Sequence, residues 1–254
     1  MITIKTPKEI QVIAKAGEKL AQVKTVLVEY IKPGVTLLEL ERIAEGEIDR
    51  LGAEPAFKRV KGYKWATCIN VNEGLVHGIP TDQKIKPGDK VSIDIGIYYQ
   101  GWNVDSAFTV GVSPVNSALA RFIETGKEAL SSGIAQTRED NRVGHISQAI
   151  EYVLTREGYS PSRIFTGHGI GKELHEEPAI PCFLHENIDD TPELVPGMVV
   201  AVEAIYNEGN PEVIIDKDGW TARTKDGTIG GLFEETVVIT DRGPCVLTAI
   251  RNES

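Results

Sequence analysis

Val91-Ser92-Ile93-Asp94-Ile95-Gly96-Ile97 reads as a strand, its apolar residues alternating with small or polar ones and a carboxylate, Asp94, at its centre. Past Tyr99-Gln100 a second run of the same kind follows, Trp102-Asn103-Val104-Asp105-Ser106-Ala107-Phe108. A hairpin closed over Tyr99-Gln100 places Asp94 directly opposite Asp105. Like charges facing across a strand pair are destabilising, so this pairing predicts a positive group between them. A metal cation is the natural candidate.

The device recurs in the second half. Asp94 follows Ile85-Lys86-Pro87-Gly88 six residues after its glycine, and Glu203 follows Leu194-Val195-Pro196-Gly197 at the same distance. Glu203 lies inside Met198-Val199-Val200-Ala201-Val202-Glu203-Ala204-Ile205, apolar on both faces and so a strand buried on both sides. A lone carboxylate there costs several kcal/mol unless it is paired or bound to a metal. Phe233-Glu234-Glu235-Thr236-Val237-Val238-Ile239 adds another acid pair in a β-branched run. Glu234 joins the metal-site set, and Glu235 reads as a solvated strand edge. The echo predicts one domain over 1–254, built of two similar halves, about 1–112 and 113–254.

Composition narrows the classes. The chain has 254 residues and a formal net charge of −10, which argues against DNA and broad nucleic-acid binding. One basic stretch, Lys58-Arg59-Val60-Lys61-Gly62-Tyr63-Lys64, reads either as a solvated loop or as a patch meeting an anionic partner. Cys68, Cys182 and Cys245 are scattered and odd in number, which predicts a reducing, cytoplasmic setting rather than a disulfide framework. No signal-peptide core or membrane-length apolar run is expected.

Helix signals frame these strands. Thr6-Pro7 with Glu9 forms a capping box, and Ile10, Ile13, Gly17, Leu20, Leu27 and Ile31 recur at helical spacing until Pro33-Gly34. Thr36 opens a second helix closed by Gly52. Ser113-Pro114 predicts the start of a third, and a fourth covers about Val143 to Arg156. Ala66 to Val71 and the segment from Ile164 to Leu247 supply strands. The order predicts an α+β duplication, with helices on one face of a curved, mainly antiparallel sheet.

The densest local signal is Phe165-Thr166-Gly167-His168-Gly169-Ile170-Gly171-Lys172-Glu173-Leu174-His175-Glu176-Glu177-Pro178. Glycines on both sides of His168 predict close backbone approach. Glu176 and Glu177 could hydrogen-bond the His175 imidazole. His77 stands in Val76-His77-Gly78-Ile79-Pro80, and His145 and His185 carry no assigned role.

The ordered series His77-Gly78-Ile79-Pro80, Ile93-Asp94, Asp105, Gly167-His168-Gly169-Ile170-Gly171, His175-Glu176-Glu177-Pro178, Pro196-Gly197-Met198, Glu203, Lys217-Asp218-Gly219-Trp220 and Phe233-Glu234 resembles type I methionine aminopeptidase from about Pro7 to Leu247. The resemblance implies the pita-bread (creatinase/aminopeptidase) fold and two divalent metal ions per chain. Asp94, Asp105, His168, Glu203 and Glu234 would be the ligands, with Asp105 and Glu234 bridging. Oxygen donors plus one imidazole suit Mn, Fe or Co, with Zn as a further option. The implied activity is hydrolytic removal of an N-terminal methionine. Glu203 would move the water's proton, His175 would donate to the oxyanion, and His77 would bond the peptide on the leaving side. Tyr63, Cys68, Phe165, Leu174 and Trp220 would line the methionine pocket. Peptide and nascent-protein N-termini beginning with Met are the implied partners, with transient ribosome contact through Lys58, Arg59, Lys61 and Lys64, no membrane, and a monomeric state.

Four positions depart from the family pattern: Val104 before the second aspartate, Thr166, Leu232, and Glu235 beside a ligand. Such changes around a metal site bear on affinity and activity. Glu235 also keeps open an Xaa-Pro aminopeptidase or prolidase-like peptidase. A non-catalytic binding protein of the same fold is the other alternative.

Overall fold

The computed structural model describes residues 2–250. Four helices are present among them: α1 (Pro7–Tyr30), α2 (Leu37–Arg50), α3 (Ser117–Ala135) and α4 (Val143–Arg156). Two begin with complete capping boxes. Thr6 accepts from the Glu9 backbone while the Glu9 carboxylate accepts from the Thr6 N–H, and Thr36 and Glu39 repeat the arrangement. Each such cap stabilises its helix by about 1 kcal/mol. The third helix starts later than Ser113-Pro114 suggests. Asn116 is its N-cap, accepting from Leu119 N–H, because an amide oxygen three residues nearer satisfies the orphan donor directly.

The strands are β1 (Glu54–Pro55), β2 (Thr67–Val71), β3 (Gly74–Val76), β4 (Lys90–Tyr99), β5 (Trp102–Gly111), β6 (Ser160–Pro161), β7 (Thr166–Gly169), β8 (Glu176–Pro181), β9 (Val199–Asn207), β10 (Val213–Ile215), β11 (Ala222–Thr224), β12 (Gly230–Thr240) and β13 (Gly243–Val246). The large sheet runs β1-β4-β5-β12-β9-β7-β8, with β2 on β4, β13 on β12 and β6 on β9; β10, β11 and β3 form a small second sheet. Every pairing in the large sheet is antiparallel.

The hairpin register differs from the sequence expectation. Tyr99 pairs with Trp102, so the turn is Gln100-Gly101, with φ of +49° and +93°. Positive φ at both central positions marks the turn that matches strand twist, and glycine at the second makes it cheap. Asp94 therefore faces Ala107, and Asp105 faces Gly96. The slip is two residues, and an even slip leaves every side chain on its original face.

The internal echo is visible in the backbone. Gly88 and Gly197 both adopt positive φ. Gly88 N–H donates to Val112 O and Val112 N–H to Asp89 O; Gly197 N–H donates to Ile239 O and Ile239 N–H to Met198 O. Each Pro-Gly turn thus launches a strand that meets its acid six residues later. Two apolar cores follow: α1 packs mainly on β5 and β4, with α2 beside it against β1 and β2, and α3 packs mainly on β9 and β12, with α4 beside it against β6 and β8. Alternation along the strands then sends Asp94, Asp105, Glu203 and Glu234 to the face away from the helices. No described helix is long and apolar enough to cross a membrane.

Candidate metal centre

Strand pairing sets five side chains in two adjacent rows. In the first, Asp94 faces Ala107, Ala107 faces Glu234, and Glu234 faces Glu203, crossing β4, β5, β12 and β9. In the second, Gly96 faces Asp105, Thr236 faces Ala201, and Ala201 faces His168. The Thr236 hydroxyl joins the two parts of that row, donating to Asp105 O at 2.7 Å and accepting from Asp105 N–H at 3.0 Å. Glycine and alanine at the intervening positions leave room above the rows. A Cβ on Gly96 would stand 3.2 Å from Asp105 Oδ1.

The donors converge. Ligand atoms of Asp105, His168 and Glu234 lie within 4.8 Å of one another. His168 Nε2 is 3.6 Å from Glu203 Oε1. Its other nitrogen, Nδ1, is 2.8 Å from Gly169 O, and a proton placed there to donate to that carbonyl leaves the Nε2 lone pair facing the acids. Both glycines beside His168 are required by contact. A Cβ on Gly167 would meet Ala201 O at 2.5 Å, and one on Gly169 would meet Glu177 O at 2.1 Å.

Electrostatics make the cluster unfavourable as it stands. Burial, then Asp105 and Glu203, push the Asp94 carboxyl well above its ordinary range. Burial and Asp105 do the same to Glu203, and burial followed by Asp105, Glu203 and Asp94 to Glu234. Asp105 is pushed up by burial to about 7, against a favourable bond from Ser106 N–H. Burial and neighbouring His175 push His168 down to about 3, so its imidazole is neutral. Asp94 Oδ1 and Glu234 Oε1 are buried with no hydrogen-bond partner among the described residues, and no lysine or arginine lines the cavity. Four carboxylates, two of them with an orphaned oxygen, and a neutral imidazole nitrogen match the needs of divalent cations: hard oxygen donors with one nitrogen, and enough negative charge to offset two dications. The residues present fit the implied metal.

The rows form the floor of a cavity of about 300 Å³. His77, Tyr63, Cys68, Phe165, Leu174, His175 and Trp220, all singled out from sequence, lie on its walls. His77, at φ +57°, packs edge-on against Phe165 at 5.3 Å, and His175 packs against His168 at 4.4 Å. Burial lowers the pKa of both accessory histidines, with His175 adding to the effect on His77. The apolar wall is a separate small cluster, in which Tyr63 lies 5.0 Å edge-on from Trp220 and Cys68 faces Asp94 across β2 and β4. Tyr63 is held there by donating to Thr67 O.

Phe57, Val60, Val76, Ile164 and Ile205, not expected from the sequence, also line the walls. Ile205 was detectable, being two positions after Glu203 on one strand face. The short helical turn bearing Phe57 carries no comparable periodic signal.

Two expectations need correction. Glu176 does not bond an imidazole; its carboxylate accepts from Lys5 Nζ at 2.8 Å and Thr3 Oγ1 at 2.5 Å. A lysine from the N-terminal segment outcompetes a neutral ring because charge-assisted bonds are stronger. Glu235 is no solvated edge. It lies on the helix face of central strand β12, paired with Lys24 at 2.9 Å, and is not among the residues lining the cavity. In the basic stretch, Lys58 pairs with Glu45, and Arg59 with Glu54 at 3.2 Å while lying over the Tyr98 ring.

In sequence and fold the chain is similar to known metallopeptidases. A sequence model of metallopeptidase family M24 matches residues 11–241. A methionine aminopeptidase of Clostridium perfringens is 39% identical over 251 residues, covering 99% of this chain and 100% of its own. The crystal structure of a methionine aminopeptidase from Thermotoga maritima superposes with a TM-score of 0.95 at 38% identity, covering 98% of this chain and 100% of that one. A prolidase from Pyrococcus furiosus superposes less closely, with a TM-score of 0.78 at 28% identity, and this chain spans 66% of its length.

Proposed function

The chain belongs to metallopeptidase family M24, in its methionine aminopeptidase branch, and from that membership we propose that it removes the N-terminal methionine of peptides and nascent proteins by hydrolysing the first peptide bond. The observation that carries the reading is the set of four carboxylates and one imidazole, convergent, buried and without a lysine or arginine, at the floor of an apolar cavity.

Asp94, Asp105, His168, Glu203 and Glu234 would hold two divalent ions, Mn, Fe or Co. When bound, such ions acidify a water and polarise the scissile carbonyl. Glu203 accepts the proton of the attacking water and returns it to the leaving amine. The neutral imidazole of His175 donates its N–H to the oxygen that gains charge. His77, also on the cavity wall, bonds the peptide on the leaving side. Tyr63, Cys68, Phe165, Leu174 and Trp220 enclose the thioether side chain, an apolar and aromatic lining suited to sulfur. Contact with ribosomal RNA falls to Lys61 and Lys64, since Lys58 and Arg59 already face acids. A monomer in the cytoplasm completes the proposal.

The prolidase alternative rested on Glu235, and that carboxylate points to Lys24 rather than into the cavity. Metal-stripped protein reloaded with Mn, Fe or Co and offered Met-Ala-Ser and Ala-Pro tests the reading. Release of methionine from the first peptide is expected; cleavage of Ala-Pro alone, or of neither, overturns it.

A further inference from the structure

β4 and β5 pair over ten residue positions and β9 and β12 over nine, but β5 and β12, which join the two halves, are registered through two positions only, Glu234 with Ala107 and Glu235 with Ser106. The candidate ligands Asp105 and Glu234 sit on opposite sides of this seam. Side chains supply much of what holds it. Thr109 donates to Leu232 O, Thr236 bonds both backbone groups of Asp105, and the Ser106 hydroxyl is 2.7 Å from Glu234 O.

Behind the seam, on the helix face, lies Lys24 of α1, 1% exposed. Its ammonium donates to Ser106 Oγ at 2.6 Å and to both Glu235 oxygens at 2.9 and 3.1 Å. Thr248 Oγ1 also donates to Glu235 while accepting from Thr236 N–H. Ser106 and Glu235 are cross-strand partners, and each directly follows a ligand, Asp105 and Glu234. One cation thus grips both members of the pair beside the ligands. A buried ion pair seldom adds net stability over apolar side chains of similar volume, so its contribution is better sought in geometry.

We propose that Lys24 is a positioning residue for the metal centre: through Ser106 and Glu235 it fixes the register of Asp105 and Glu234 across the seam between the halves. The inference rests on the metal-centre reading above and adds to it a role for a residue that touches neither ion nor substrate.

Lys24→Met alone strands a buried carboxylate, so the deciding protein is the Lys24→Met/Glu235→Leu double variant, with Ser106→Ala as a second. Each is stripped of metal, shown to be folded by near-ultraviolet circular dichroism, and titrated with Mn²⁺ by calorimetry. A merely structural role would lower the melting temperature and leave the Mn²⁺ affinity of folded protein unchanged. The expected result is a Kd raised about 10- to 100-fold in the double variant, the range for residues that orient metal ligands, and a smaller rise in Ser106→Ala. A wild-type Kd in the folded double variant overturns the proposal; if that variant does not fold, a wild-type Kd in Ser106→Ala does. Failure of the parent protein itself to take up Mn²⁺ defeats the metal-centre reading, and this inference with it.

Discussion

Glu203 and Glu234 are direct cross-strand partners, facing one another from β9 and β12 with Asp94 two strands further along the same row. Opposed carboxylates of this kind repel, and a cation between them, or a proton held by one of them, relieves the repulsion. Both line the cavity, Glu203 at the end of the row beside His168 and Glu234 in its middle.

Glu203→Gln keeps the shape and removes the base. A folded protein is expected, with kcat lower by about 10²- to 10⁴-fold, the range for loss of positioned proton transfer. Steady-state hydrolysis of Met-Ala-Ser measures it, and turnover close to wild type would take Glu203 out of the proton pathway.

His175→Ala tests the oxyanion donor. Loss of one such donor costs about 10²- to 10³-fold in kcat, while Mn²⁺ uptake by calorimetry should stay near wild type because His175 is not among the five ligands. A large change in Mn²⁺ affinity with unaltered kcat would contradict the assignment.

Metal-free protein should lose stability as pH rises. The acids of the rows have folded-state pKa values above their unfolded ones, so the folded form binds protons more tightly. Their contribution is intact below the unfolded value of about 4, and declines as pH climbs toward the Asp105 value of about 7, with Asp94, Glu203 and Glu234 shifted in the same direction. Scanning calorimetry of stripped protein should therefore show Tm falling over this interval, and Mn²⁺ should raise Tm most at its upper end. A Tm that rises with pH across the interval would count against repulsion among these groups.

How much of this was legible depended on range. The capping boxes at Thr6/Glu9 and Thr36/Glu39 involve neighbours three apart and could be read directly. The faces of Asp94 and Asp105 were legible because period-2 alternation survives a slip of two, although the register itself turned on a local choice between Tyr99-Gln100 and Gln100-Gly101. The facing of Glu203 by Glu234 was not legible, since it depends on pairing β9 with β12 across the intervening small sheet. Glu235 was misread for the same reason: its partner, Lys24, is 211 residues away, and nothing near Glu235 in the chain signals a buried cation.

Gly167→Ala probes the close packing that aims His168. The new Cβ would lie 2.5 Å from Ala201 O, so β7 must move from β9, at about 1–3 kcal/mol for overpacking of this kind. Urea denaturation should show that loss, accompanied by weaker Mn²⁺ binding. Unchanged stability would mean that the two strands have slack at this point.

The central claim is that four mutually repelling carboxylates persist together because dications lie between them. A crystal of Mn²⁺-loaded protein, with data collected at the manganese absorption edge, tests it most directly. Two anomalous peaks among Asp94, Asp105, His168, Glu203 and Glu234 are expected; a map with no peak there, or peaks only at other acids, would contradict it.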